Sequence, residues 1–145
     1  MEVKTIGIKV AKPAGKCEDG NCPFHGSLKC RGRIFTGIVV SVKMQKTAIV
    51  EWGHRQFLKK YERYEKKRSR VKAHNPACIG ANEGDVVKIM ECRPLSKTKN
   101  FVIVEILGKE KGFKERMEAE EEAKFKKEVK KVEEKTDESQ KEVAV

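Results

Sequence analysis

The sequence predicts an all-β protein, a small five-stranded barrel carrying an N-terminal extended arm and a C-terminal partly helical tail. Three observations lead there. Apolar, β-branched runs recur in pairs across residues 31–108, turn formers crowd residues 1–30, and the composition changes to Glu, Lys, Ala and Val from Lys109 onward. The first pair is Arg33 to Val42 (RIFTGIVVSV) and Thr47 to Trp52 (TAIVEW), with Lys43-Met44-Gln45-Lys46 as the hairpin loop between them. The second is Val86 to Cys92 (VVKIMEC) and Phe101 to Leu107 (FVIVEIL), joined by RPLSKTKN, with Gly84-Asp85 as the turn that starts it.

Between the pairs lies a long charged segment, read as a loop whose C-terminal half, Lys66 to Ala73, forms a further extended strand. Helical character over 55–67 is the alternative. Four or five mostly antiparallel strands in so short a segment suit an OB-fold-like Greek-key barrel, and an SH3-like barrel meets the same pattern. The chain thus divides into an arm at 1–30, a barrel at 31–108 and a charged, partly helical or disordered tail at 109–145. In the arm, Pro13, Gly15, Gly20, Pro23 and Gly26 argue against a helix, while Ile6, Ile8 and Val10 alternate as a short strand would. In the tail, Phe113 and Met117 are four apart, and Phe125, Val129 and Val132 repeat at helical spacing.

Charge narrows the function. The 145 residues carry 33 Lys and Arg against 22 Asp and Glu, a net +11. The tail holds 11 basic and 12 acidic residues, so the first 108 residues carry an excess of +12. Such an excess points to a polyanionic partner, nucleic acid before an anionic membrane. No apolar run is long enough to cross a bilayer, and the only helix candidate is near neutral, which argues against a membrane-surface role. Five cysteines, an odd number, with no secretory signal place the chain in a reducing, intracellular setting. Catalysis has no support. Gly37 and Gly53 stand alone rather than in a phosphate-binding loop, and Cys22 with His25 lacks a third, orienting group. Asp85 fits a turn, and His74 beside Asn75-Pro76 fits a loop anchor.

The strongest binding signal is Arg55 to Lys72 (RQFLKKYERYEKKRSRVK), nine cations against Glu62 and Glu65, with Tyr61 and Tyr64 set among them. Cations there can neutralise phosphates while the rings stack on exposed bases. A solvated helix face would look similar, but the position between strands favours RNA. A second cluster, Arg93, Lys97 and Lys99 with Ser96 and Thr98, lies in the last hairpin. A third is Arg31 and Arg33 at the start of the first strand, with Lys43 and Lys46 in its hairpin.

Cys17-x4-Cys22-x2-His25, with Cys30 nearby, offers four metal ligands within fourteen residues, and a Gly- and Pro-rich loop could arrange them around zinc. The simpler reading packs Cys22 and Cys30 as small apolar residues, with His25 on RNA or backbone, Cys78 and Cys92 as core thiols, and no cofactor.

GDVVKIMECRPLSKTKNFVIVEI (Gly84 to Ile106) resembles the signature region of the small-subunit ribosomal protein S-seventeen family. RGRIFTGIVVSVKMQKTAIVE (Arg31 to Glu51) and KKYERYEKKRSRVKAHNPACI (Lys59 to Ile79) resemble the same family's earlier blocks, in the same order. CEDGNCPFHG (Cys17 to Gly26) is similar to the archaeal type. The resemblance spans roughly residues 5–107 and leaves the tail uncovered. It implies an OB-fold barrel that binds the 5′ domain of small-subunit rRNA directly and early in assembly, its long loops placed between RNA helices. By matching segments it implies contacts from Lys43, Lys46, Lys59, Lys60, Arg63, Lys66, Lys67, Arg68, Arg70, Arg93, Ser96, Lys97 and Lys99, with His74 and Asn75 as polar contacts; Arg31, Arg33 and Tyr64 join them on the charge and stacking argument above. The partners expected are rRNA and neighbouring ribosomal proteins in the cytoplasm, with no membrane and no small-molecule substrate. Two other readings share the features: a free-standing RNA-chaperone barrel, which would show aromatic residues on an open strand face, and a zinc-dependent interaction module built on the arm.

Overall fold

A computed structural model describes residues 5–13, 15–119, 122, 123 and 125. Five strands follow in chain order: β1 Cys30–Met44, β2 Thr47–Leu58, β3 Arg63–His74, β4 Asp85–Ser96 and β5 Lys99–Lys109. They close into a barrel in the order β1-β2-β3-β5-β4. Neighbours pair antiparallel except β3 and β5, which run parallel with Ala73 opposite Phe101 and His74 opposite Val102. This is the five-stranded OB-like barrel the alternating runs predict.

The period of two explains the interior. Val39, Ala48, Val50, Ala73, Val87, Ile89 and Ile103 are fully buried and pack together, one or two from each strand. β1 lies close on β2 at Gly37, where a Cβ would sit 2.7 Å from the Glu51 carbonyl. Phe35 stacks on Trp52 with ring centroids 4.7 Å apart and meets Phe101 edge-on at 5.9 Å. These three aromatics pack on one another against the core, so they do not form the open stacking face expected of an RNA chaperone.

β4 and β5 read as continuous apolar runs because both of their faces are covered. Val87, Ile89 and Ile103 point inward, while Met90, Cys92, Val102 and Val104 pack outside the barrel against Cys22, Phe24 and Leu28. Residues 5–29 are therefore applied to the barrel wall rather than extended into solvent, and residues 1–110 form one unit. Ile6, Ile8 and Val10 are half-buried in this second core, but they form no strand. Their alternation reports packing on a sheet without joining it.

The long charged segment is the main departure from expectation. It is neither an irregular loop nor a helix. β2 and β3 stay in register from Thr47 opposite His74 out to Leu58 opposite Arg63, closed by a single 3-10 turn at Lys59–Tyr61. The two other hairpin loops are also tighter than expected, with Gln45-Lys46 and Lys97-Thr98 as the only residues between strands. Residues 111–145 form a second unit, in which 113–119 are helical. The Arg116 guanidinium lies 5.5 Å from the Phe113 ring. The helical spacing of Val129 and Val132 lies outside the described residues.

Candidate nucleic-acid interface

The β2–β3 hairpin outgrows the barrel. From Gly53 to Phe57 and from Arg63 to Arg68 every residue is exposed. Directly opposed residues share a face, and successive pairs alternate faces. One face therefore carries Arg70 with Glu51, Arg68 with Gly53, Arg55 with Lys66, and Phe57 with Tyr64. Four cations rise along it in steps of roughly 6.8 Å and end at an aromatic pair, Phe57 and Tyr64, whose centroids are 5.2 Å apart. Glu51 anchors the base of this stripe, pairing with Arg70 and, at 3.7 Å, with Arg68. Lys67 belongs to the opposite face, 3.5 Å from Glu65. At the tip, Lys59, Lys60 and Arg63 are exposed, and the Lys60 ammonium lies 5.3 Å from the Tyr61 ring.

The other expected contacts fall in two groups. Arg31, Arg33 and Lys43 are exposed on β1, and Arg33 is held by Glu91 at 3.3 Å. The Arg33 backbone N–H and guanidinium keep the Glu91 carboxyl below the usual carboxylate range. Lys99 reaches the β1–β2 turn that carries Lys46. The Lys99 ammonium donates to Thr47 Oγ1 at 2.6 Å, and Lys46 Nζ is 3.9 Å from Asp19 Oδ2. Arg93, Ser96 and Lys97 are exposed, and Arg93 reaches Asn21 Oδ1 at 3.4 Å.

His74 and Asn75 do not belong to this surface. His74 is 3% exposed, with Nε2 2.9 Å from Asp19 Oδ2. The Asn75 amide donates to the Ala81 carbonyl at 2.9 Å, and its oxygen accepts the Ala81 N–H at 3.1 Å. Both are spent inside the protein where the sequence predicts RNA contacts: Asn75 closes the β3–β4 connection, and His74 holds Asp19 of the N-terminal loop.

Sequence reasoning placed Arg55 in the basic stretch but missed its pairing with Lys66, and it missed Phe57 beside Tyr64. The signal was the hairpin's symmetry about Lys60 and Tyr61, which pairs Arg55 with Lys66 and Phe57 with Tyr64. It also missed Asp19, which ties the N-terminal loop to His74 and Lys46.

The cysteines sort differently from expectation. Cys17, Cys22 and His25 meet Cys78, not Cys30, with one ligand atom of each lying within 4.8 Å of the others. Cys30 instead sits opposite Cys92 across β1 and β4. Burial pushes the Cys30 thiol up to about 12.

No helix among the described residues is long and apolar enough to cross a membrane. Residues 37–105 match the family model described as Ribosomal protein S17. Several relatives carry the name small ribosomal subunit protein uS17. That of Methanopyrus kandleri is 58% identical over 104 residues, covering 72% of this chain and 88% of the relative. That of Methanocaldococcus jannaschii is 53% identical over 109 residues, covering 75% and 93%. That of Archaeoglobus fulgidus is 54% identical over 108 residues, covering 74% and 96%. With a barrel of this topology, a basic hairpin in this position and identity that spans nearly the full length of those relatives, the chain belongs to the ribosomal protein S17 family, in its archaeal form.

Proposed function

We propose that the chain is a structural, non-enzymatic constituent of the small ribosomal subunit that binds the 5′ domain of small-subunit rRNA and helps to order its helices during assembly. Its place is the cytoplasm, and its partners are rRNA and neighbouring ribosomal proteins. The barrel of residues 31–108 is the RNA-binding body, residues 1–30 brace it, and residues 109–145 are an appendage.

The observation that carries this reading is the stripe formed by Arg55, Lys66, Arg68 and Arg70 below the Phe57–Tyr64 pair. A rigid two-stranded ribbon with cations at regular steps suits insertion between phosphate backbones, where it reads shape rather than base edges. The tip cations Lys59, Lys60 and Arg63, and the separate group of Lys43, Lys46, Arg93, Ser96 and Lys97, extend the contact to further backbone.

The test is salt-dependent binding to an rRNA fragment spanning the 5′ domain, against an unstructured RNA of equal length. Neutralising Arg55, Lys66 and Arg68 together to Gln should lower the slope of log affinity against log salt by about two to three, and Lys67→Gln alone by about one at most. Equal binding to both RNAs would favour a general single-strand binder. Absence of binding to either would sink the reading.

A further inference from the structure

The N-terminal loop meets the β3–β4 connection in a way that RNA binding does not use. Cys17 Sγ lies 3.3 Å from His25 Nδ1, Cys22 Sγ lies 3.7 Å from the same nitrogen, and Cys22 Sγ lies 3.6 Å from Cys78 Sγ. We infer that Cys17, Cys22, His25 and Cys78 form a tetrahedral site for one Zn²⁺ ion, which clasps the N-terminal segment to the barrel.

The distances decide the chemistry. A zinc ion with Zn–S of about 2.3 Å and Zn–N of about 2.0 Å sets tetrahedral edges of roughly 3.8 Å between sulfurs and 3.5 Å between sulfur and nitrogen. The three edges given above fall within a few tenths of these values, and all four ligand atoms lie within 4.8 Å of one another. The edges are far longer than the ~2.05 Å of a disulfide, and all five cysteines are free thiols. Thiols are weak hydrogen-bond donors, so their mutual contacts give little reason to gather three of them around one imidazole nitrogen.

The backbone is shaped for the same purpose. The His25 N–H points to Cys22 Sγ at 3.5 Å, and the Gly26 N–H donates to the Cys22 carbonyl at 2.9 Å, so Cys22-Pro23-Phe24-His25 forms a tight knuckle. Glycine is required at its end, because a Cβ on Gly26 would lie 2.6 Å from the Asp19 carbonyl and 2.7 Å from that of Cys22. His25 Nε2 is buried without a partner among the described residues, leaving Nδ1 as the nitrogen that faces the sulfurs.

On binding, the three thiols release three protons to solvent and the imidazole binds neutral, so the site carries one net negative charge. Cys78 lies 56 residues from Cys22, and the ion therefore closes a long loop between segments that also meet through the second apolar core and the His74–Asp19 contact. The ion also fixes the loop that carries Asp19 and Asn21, and through them the placement of Lys46 and Arg93. The site lies apart from the cationic stripe, so it stands or falls independently of the RNA reading.

The experiment is elemental analysis of the full chain purified without chelator, followed by replacement with Co²⁺ and absorption spectroscopy. One zinc per chain is expected, with intense tetrahedral d–d bands and thiolate-to-cobalt charge transfer in the Co²⁺ form. Cys78→Ser should weaken zinc binding by at least about a hundredfold, beyond the 10–100-fold effect of outer-shell partners. Cys30→Ser and Cys92→Ser should bind as the wild type does. If Cys78→Ser fails to fold, the cobalt spectrum of the wild type and the Cys30→Ser result still decide the matter. Substoichiometric metal without a tetrahedral spectrum would overturn the site. So would loss of the metal in Cys30→Ser, or a Cys17–Cys22 disulfide in anaerobically purified protein.

Discussion

His74 Nε2 lies 2.9 Å from Asp19 Oδ2, joining the end of β3 to the N-terminal loop across 55 residues of sequence. Both side chains are buried, at 3% and 9% exposure. A buried polar atom that loses its partner costs about 1–3 kcal/mol. Asp19→Ala should therefore destabilise the fold by that amount, read as a lower urea midpoint with an unchanged slope. A midpoint equal to the wild type's would show that the contact is incidental.

The same residue makes stability depend on pH. Burial pushes the His74 imidazole below its usual 6.5; Asp19 and the Lys46 backbone pull it up, the Lys99 ammonium pushes it down, and the net effect is downward. Above both values the folded and unfolded chains are equally deprotonated at this site. As the pH falls through 6.5, the unfolded chain takes up a proton that the folded chain refuses, so stability falls with it. Urea midpoints at about pH 7.5 and about 5.5 should drop in the wild type and drop less in His74→Gln. An identical drop in both would assign the effect to other groups.

The legibility of this fold follows burial. β1 and the first half of β2 alternate or run apolar because they face a core, and the sequence predicts them there. Beyond Trp52 the hairpin has solvent on both sides, so Arg55 to Arg68 shows no alternation, and a strand looks like a loop. Cys22, Phe24 and Leu28 are isolated apolar residues in a Gly- and Pro-rich stretch with no period, so nothing local announces that they cover β4 and β5. Cys78 was invisible as a partner for Cys17 and His25 because a contact across so many residues has no spacing signature.

Docking of that N-terminal stretch contributes a substantial part of the fold's stability. Phe24 is 1% exposed, packed in the second core with Met90, Val102 and Val104. Truncating a fully buried Phe typically costs about 3–5 kcal/mol. Phe24→Ala should reach that range and raise the proteolytic sensitivity of residues 5–29 before that of the barrel. A loss below about 1 kcal/mol would mean that the segment is only weakly held.

Lys46 separates folding from binding. It sits at φ 48° in the two-residue turn between β1 and β2, a conformation that costs a non-glycine residue about 1–2 kcal/mol. Glycine relieves this but returns about 0.5–1 kcal/mol through the freer unfolded chain. The Lys46–Asp19 pair, at 3.9 Å and with its lysine exposed, contributes little. Lys46→Gly should leave stability unchanged or raise it by up to about 1 kcal/mol while weakening rRNA binding. If stability and affinity fell together, Lys46 would be a folding residue rather than a contact.

Tyr64 tests whether the hairpin stacks on bases as well as pairing with phosphates. It is 69% exposed beside Phe57 at 47%, two rings in mutual contact on a ribbon with no core beneath them. Their mutual packing contributes about 0.2–1 kcal/mol, which is small against the apolar surface left in water. A base laid on the outer ring would cover that surface, and such stacking contributes about 1–3 kcal/mol per base. Tyr64→Ala should therefore reduce affinity for the 5′-domain fragment by roughly five- to a hundredfold and move the urea midpoint by no more than the pair energy. Tyr64→Phe, which keeps the ring and loses the hydroxyl, should bind close to wild type. Wild-type affinity in Tyr64→Ala would leave the hairpin as a phosphate clamp alone; a loss in Tyr64→Phe as large as in Tyr64→Ala would assign the contact to the hydroxyl as a hydrogen-bonding group.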